Sequence, residues 1–133
     1  MKKLPKHNTI KVFEAFAGYG GASYGLKRSG LKYKVVAMSE FDRFASDLLS
    51  LNFPKIKNFG DITKIDPSKL PDFDLFTGGF PCQPFSSAGL QLGEEDKYGR
   101  GTLFYDIFRI LKIKRPKYVL LENVKGLTAK NLR

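Results

Sequence analysis

A glycine-rich turn wedged between a strand signal and a helix signal restricts this chain more than any other local feature. Residues 10–16 (IKVFEAF) read as a strand, and the run Ala17-Gly18-Tyr19-Gly20-Gly21 follows at once. Residues 22–29 then read as a short helix that Gly30 ends. Glycines at such a turn let a ligand approach the backbone, and a helix N-terminus offers N–H groups to it. The same alternation continues downstream. Residues 34–38 (KVVAM) read as a second strand. Phe41, Phe44, Ala45, Leu48, Leu49 and Phe53 fall at helical spacing with one buried face, and Pro54 stops that helix. Residues 74–77 (DLFT) read as a third strand, 78–101 as a loop rich in Gly, Pro and Ser, and 117–122 (KYVLLE) as a fourth strand. Between the last two, Leu103, Phe104, Ile107, Phe108 and Leu111 form a second helical stripe. This order predicts an α/β fold with a mainly parallel sheet and right-handed crossovers. Ligands in such sheets sit beyond the carboxyl ends of the strands, where all the motifs below fall.

Composition fits one folded domain. The chain has 133 residues, 42% of them hydrophobic and 14% aromatic, enough for a continuous core. No apolar run approaches the roughly 20 residues of a membrane span. Residues 1–9 read as a basic N-terminal extension without the apolar stretch of a signal peptide, and 10–133 as one partial cofactor-binding and catalytic domain. A single cysteine excludes an internal disulfide and points to a reducing compartment. The net charge of +10 suits a polyanionic partner, but it suits a solvated surface equally well. The densest basic patch, 112–117, is short.

Two groups of residues carry chemistry. On the first side, Glu40 ends the second strand 19 residues after Gly21, where a carboxylate can accept hydrogen bonds from ribose hydroxyls. Asp61 and Ile62 follow the next helix and are placed to hold an adenine edge, with Phe16 and Phe41 as stacking partners. These features serve NAD, FAD or S-adenosylmethionine alike. The turn is not GxGxxG, which counts against a dinucleotide. On the second side, Pro81 and Pro84 bracket Cys82 and disfavour regular structure around it. That puts a thiol on a rigid loop after a strand, where a nucleophile would be useful.

Taken together, the segments resemble the C5 cytosine-specific DNA methyltransferase family from about residue 10 to 126. Phe16-Ala17-Gly18-Tyr19-Gly20-Gly21 is similar to its cofactor motif, Glu40 to its ribose-binding acid and Gly60-Asp61-Ile62-Thr63 to its adenine-contacting motif. Gly79-Phe80-Pro81-Cys82-Gln83-Pro84-Phe85-Ser86 resembles its catalytic loop, Gly101-Thr102-Leu103-Phe104 the segment whose leucine lines the cofactor pocket, and Glu122-Asn123-Val124 its ENV motif. The resemblance implies a Rossmann-like S-adenosylmethionine-dependent methyltransferase fold, incomplete on its C-terminal side. It implies Cys82 as nucleophile toward cytosine C6. It also implies Glu122 as the acid holding the N3/N4 edge, with a raised pKa that burial would supply. Gly79 and Leu103 join the cofactor residues, and Gln83, Ser86 and Arg100 are candidate DNA contacts, although an ordinary surface loop suits Arg100 equally. Implied partners are S-adenosylmethionine, double-stranded DNA and a second chain carrying the recognition region; no metal and no membrane are implied. The setting implied is cytoplasmic, in a prokaryotic or phage restriction–modification system.

The chain departs from the family in stopping after the ENV motif. Glu14 also stands where Asp is usual, and Tyr19 where Leu is frequent. The reading leans to a fragment or truncated product over one subunit of a split enzyme. The alternatives are an inactive cofactor- or DNA-binding remnant and, lower, a nicotinamide-dependent oxidoreductase.

Overall fold

The structure is a computed structural model and describes residues 9–80 and 103–123. Its elements run in the expected order: β1 (Ile10–Ala15), α1 (Gly21–Arg28), β2 (Tyr33–Ser39), α2 (Arg43–Asn52), β3 (Leu75–Gly79), α3 (Leu103–Lys114) and β4 (Tyr118–Glu122). Two 3-10 turns, Ile62–Lys64 and Pro67–Lys69, lie between α2 and β3. The four strands form one sheet in the order β2-β1-β3-β4, and every pairing is parallel.

β1 is central, which explains why it lacks polar alternation. A strand covered on both faces needs apolar groups on both, and Val12 and Phe13 are both fully buried. Phe13, Ala15 and Phe76 pack with Ile107 and Ile110 of α3 on one face. Val12, Val35, Met38 and Leu75 pack with Leu49 of α2 on the other. Phe13, Phe73 and Phe76 meet with centroids 5.3–6.3 Å apart, a spacing at which tilted aromatic pairs add to area burial.

Two expectations from periodicity need correction. The helix begins at Arg43, because Asp42 caps it by accepting from the Ala45 N–H at 2.8 Å. Its apolar stripe is also not buried as a unit: Leu49 is, while Phe41 and Phe44 are 75% and 82% exposed. In α3, Phe108 is likewise exposed while Ile107 and Ile110 fill the core. Spacing shows that residues share a face but not what stands opposite it.

β4 forms one edge of the sheet, and Tyr118, Val119, Leu120 and Leu121 are all exposed. Among the described residues no further strand pairs with this apolar edge, and such an edge is a ready template for pairing. Among the described residues, no helix is long and apolar enough to cross a membrane.

Candidate active site and cofactor loop

The turn after β1 passes through the left-handed region three times, at Phe16 (φ 52°), Gly18 (55°) and Gly20 (94°). Glycine adopts these angles freely, whereas a side chain there costs about 1–2 kcal/mol. Phe16 is therefore a strained residue at the mouth of the loop, held by packing its ring against the α3-side core.

The backbone donors of this turn are engaged internally. Ala17 N donates to Ser39 O (3.0 Å), Gly20 N to Ala17 O (2.7 Å) and Gly18 N to Glu40 Oε2 (2.8 Å). Ala22 N and Ser23 N, in the first turn of α1, donate to the two oxygens of Glu14 at 2.9 and 3.1 Å. The Ser23 hydroxyl donates to Glu14 as well. The expectation that α1 presents its N-terminal N–H groups to a ligand is thus overturned at Ala22 and Ser23. Gly20 has no side chain with which to cap the helix, and the buried Glu14, reaching across from β1, does so instead.

Burial pushes the Glu14 carboxyl above its ordinary 4.5, against the lowering pull of the Ser23 and Ala22 donors. A carboxyl whose pKa is raised by folding stabilises the fold below its unfolded pKa and loses that contribution as pH rises through the folded value. Urea titrations should therefore show stability falling as pH climbs from about 4.5 through the raised pKa. Glu14→Gln should remove that slope. A wild-type curve that is flat in this window would contradict the assignment.

Glu40 is the hub of the hydrogen bonds beside the glycine turn. Its Oε1 accepts from Asp42 N at 2.8 Å while Oε2 holds Gly18 N. Asn58 fixes the backbone at Glu40, accepting from Glu40 N at 2.9 Å and donating to Glu40 O at 3.0 Å. Each carboxylate oxygen keeps lone-pair capacity for a further donor such as a ribose hydroxyl. Asn58 escaped the sequence reading because its role depends on a single parallel bridge to Met38, too short to leave a strand pattern.

Asp61 caps the first 3-10 turn, accepting from Thr63 N (3.0 Å) and Thr63 Oγ1 (2.8 Å). Desolvation pushes its carboxyl up, but the Thr63 hydrogen bonds and nearby Lys64 outweigh this and hold it below 3.8. The Ile62 side chain is buried in the α3-side core. Its carbonyl accepts from Arg109 Nη2 at 3.0 Å, and Arg109 Nη1 donates to Ile65 O at 2.7 Å. Arg109, another residue the sequence did not reveal, pins this segment to α3. Phe41 and Tyr19 are exposed, while Leu103 opens α3 and is half-buried against the core.

On the chemical side, Gly79 and Glu122 are cross-strand partners at the carboxyl ends of β3 and β4. The Glu122 carboxylate occupies the space beside Gly79: a Cβ there would lie 3.0 Å from Glu122 Oε2. Glu122 itself is exposed, so the expected burial is not provided by the described residues. Asn123 Nδ2 donates to Phe80 O at 3.1 Å, and the Phe80 ring is buried against Phe104 with centroids 5.9 Å apart. The acid and the root of the Pro81-Cys82-Gln83 segment are therefore tied together. Cys82, Gln83, Ser86 and Arg100 themselves lie outside the described residues.

Gly79→Ala should leave stability within about 1 kcal/mol, since Ala tolerates this extended backbone, yet displace the Glu122 carboxylate. The measurement is the Glu122 carboxyl carbon resonance in both proteins. An unmoved resonance would show that the contact does not position the acid.

Comparison with known proteins agrees with this arrangement. A family model for C-5 cytosine-specific DNA methylase matches residues 10–133. The chain is 51% identical over 118 residues to the type II methyltransferase M.NgoBI of Neisseria gonorrhoeae and, over the same length, to M.HaeII of Haemophilus aegyptius. It covers only 36% of either relative, although 89% of this chain takes part. Among solved structures, S. pombe Dnmt2 methyltransferase superposes with a TM-score of 0.72 at 25% identity, covering 93% of this chain and 37% of that one. A DNMT2 variant from Spodoptera frugiperda gives 0.70 at 30% identity, covering 90% and 37%. The Rossmann-like parallel sheet, the paired strand ends carrying Gly79 and Glu122, and the match along residues 10–133 lead to one assignment: the chain belongs to the C-5 cytosine-specific DNA methylase family.

Proposed function

We propose that this chain forms the cofactor-holding and nucleophile-bearing portion of a DNA (cytosine-5-)-methyltransferase. The observation that carries the reading is the pairing of Gly79 with Glu122, reinforced by the Asn123 bond to Phe80 O. It sets the ENV acid against the strand end from which the Pro-Cys-Gln segment departs. Cys82 is the third residue after Gly79, a reach of at most about 11 Å.

The residues of the turn suit S-adenosylmethionine better than a dinucleotide. A pyrophosphate needs open N–H groups at a helix N-terminus, whereas Ala22 N and Ser23 N serve Glu14 and Gly18 N serves Glu40. The Glu40 carboxylate beside the loop suits a cofactor with cationic groups. Glu40 would hold the ribose, Phe41 would stack on the adenine, and Asp61 would accept from its amino group. When bound, S-adenosylmethionine supplies a methyl group on a positively charged sulfur, electrophilic toward cytosine C5.

Cytosine C5 is a poor nucleophile until the ring is activated. The Cys82 thiolate adds at C6, forming an S–C bond and moving the ring π electrons toward C5 and N3. Glu122 holds the N3/N4 edge and shares a proton at N3, which stabilises the adduct. C5 would take the methyl group as its bond to the sulfonium sulfur breaks and S-adenosylhomocysteine departs; a water molecule would accept the C5 proton, and the C6–S bond would then break to release the Cys82 thiolate. A thiol suits both steps because it attacks and departs readily. A base inside a duplex is out of reach, so the target nucleotide is flipped out. We further propose that turnover needs segments matching those the relatives carry beyond the shared third, with the exposed β4 edge as their docking side.

The test uses duplex DNA carrying 5-fluorocytosine, on which a covalent adduct persists because fluorine cannot leave as a proton does. Incubation of the chain with S-adenosylmethionine and a complementing C-terminal segment of a relative should yield a stable protein–DNA adduct. The chain alone should yield none. A methylating assembly in which Cys82→Ser still forms the adduct would overturn the reading.

A further inference from the structure

Among the described residues, a group of basic side chains gathers at one end of this fold. All strands are parallel, so α1 and α3 bring their C-termini to the amino ends of the strands. Ile10 N donates to Lys32 O, Asp74 N to Lys11 O, and Tyr118 N to Asp74 O, at 2.8–2.9 Å. Lys11 and Lys34 are cross-strand partners. Lys34, Lys11, Asp74 and Lys117 therefore lie in a row across the sheet, roughly 15 Å wide at about 4.8 Å per strand, with Lys32 just before it on the β2 side. Lys27 and Arg28 end α1 on one face, and Lys112 and Lys114 end α3 on the other. The two acids at this end are engaged: Asp72 pairs with Lys114 at 3.1 Å, and Asp74 accepts from Lys11 N at 2.9 Å. Glu40, Asp42, Asp61 and Glu122 all stand at the opposite, carboxyl end.

Helix C-termini attract cations, which accounts for the four helical residues. It does not account for the four lysines at the strand starts, which outnumber the two acids beside them, the exposed Asp72 and the half-buried Asp74. We propose that this amino-terminal end of the sheet is a second contact surface for the phosphodiester backbone of duplex DNA. Strands of five to seven residues hold it about 20 Å from the edge carrying Glu122. It engages a stretch of duplex other than the one presenting the target base. The contact reads charge and not sequence, and retains the protein on DNA near its substrate.

The experiment is a salt series of fluorescence anisotropy with the full chain and a labelled duplex. Lys32→Gln combined with Lys117→Gln should lower the salt slope by about 2 and weaken binding about tenfold at low salt. Arg43→Gln combined with Lys64→Gln, at the carboxyl end, should change neither. Lys32→Gln alone, expected to lower the slope by about 1, serves if the double variant does not fold. Equal effects of the two doubles would overturn the proposal. So would tighter binding to duplex RNA of the same sequence. The result is independent of adduct formation on Cys82, so either proposal can fail without the other.

Discussion

In a methylating assembly, Cys82→Ser should reduce turnover by on the order of 10⁴-fold or more, the scale expected when a covalent nucleophile is lost. A serine hydroxyl stays protonated near neutral pH and is a poor leaving group, so both ends of the addition–elimination cycle suffer. Glu122→Gln should cost about 10²–10³-fold, because the amide keeps a hydrogen bond to the ring edge but cannot pass a proton to N3. The two substitutions differ in a second readout. Cys82→Ser should abolish the covalent adduct on 5-fluorocytosine DNA, whereas Glu122→Gln should slow its formation without preventing it. Retention of turnover within tenfold by Cys82→Ser would remove Cys82 from the mechanism. Equal adduct rates for Glu122→Gln and the parent would remove Glu122 from the addition step.

Adjacent glycines of the turn after β1 should respond to the same substitution with opposite sign. A Cβ on Gly20 would lie 2.2 Å from Phe53 Cε2, and the residue sits at φ 94°. The Phe53 ring is held edge-to-face by Tyr24, with centroids 5.9 Å apart, so it cannot retreat without repacking. Backbone strain and overpacking together should make Gly20→Ala destabilising by about 2–4 kcal/mol, a drop of about 10–20 °C in Tm for a domain of this size. Gly21 opens α1 at an ordinary helical angle, and a Cβ added to it would meet nothing within 4 Å. Gly21→Ala should therefore be neutral or stabilise by about 0.4–1 kcal/mol, through loss of freedom in the unfolded chain. Thermal melts of the two variants decide the matter, and equal shifts would mean the turn differs from the geometry described.

The order of elements was legible because each is local. The strand at 10–16, the helix at 22–29 and the stripe from Leu103 to Leu111 all carry their periodicity within a dozen residues; the first two lie within one position of the observed elements, and the third opens with α3 and stops three residues short of its end. The family was legible for the same reason: Phe16 to Gly21, Gly79 to Ser86 and Glu122 to Val124 are short contiguous motifs. Phe41 and Phe44 show where this stops. Their spacing matches that of Leu49, but only Leu49 finds the sheet.

By itself, then, the sequence determined the α/β order, the parallel sheet and the residue types at its carboxyl edge. Tertiary structure decided how those residues are held. Glu14 closes the helix N-terminus that a glycine turn suggests is open, Asn58 fixes Glu40 from 18 residues away, and Arg109 holds the Ile62 carbonyl across 47. It also decided that lysines scattered along the chain gather at one end and the site acids at the other. The physical reason is common to all of these. Hydrogen bonds and charge proximity between distant segments follow from strand direction and register, and neither is written in the local spacing of side chains.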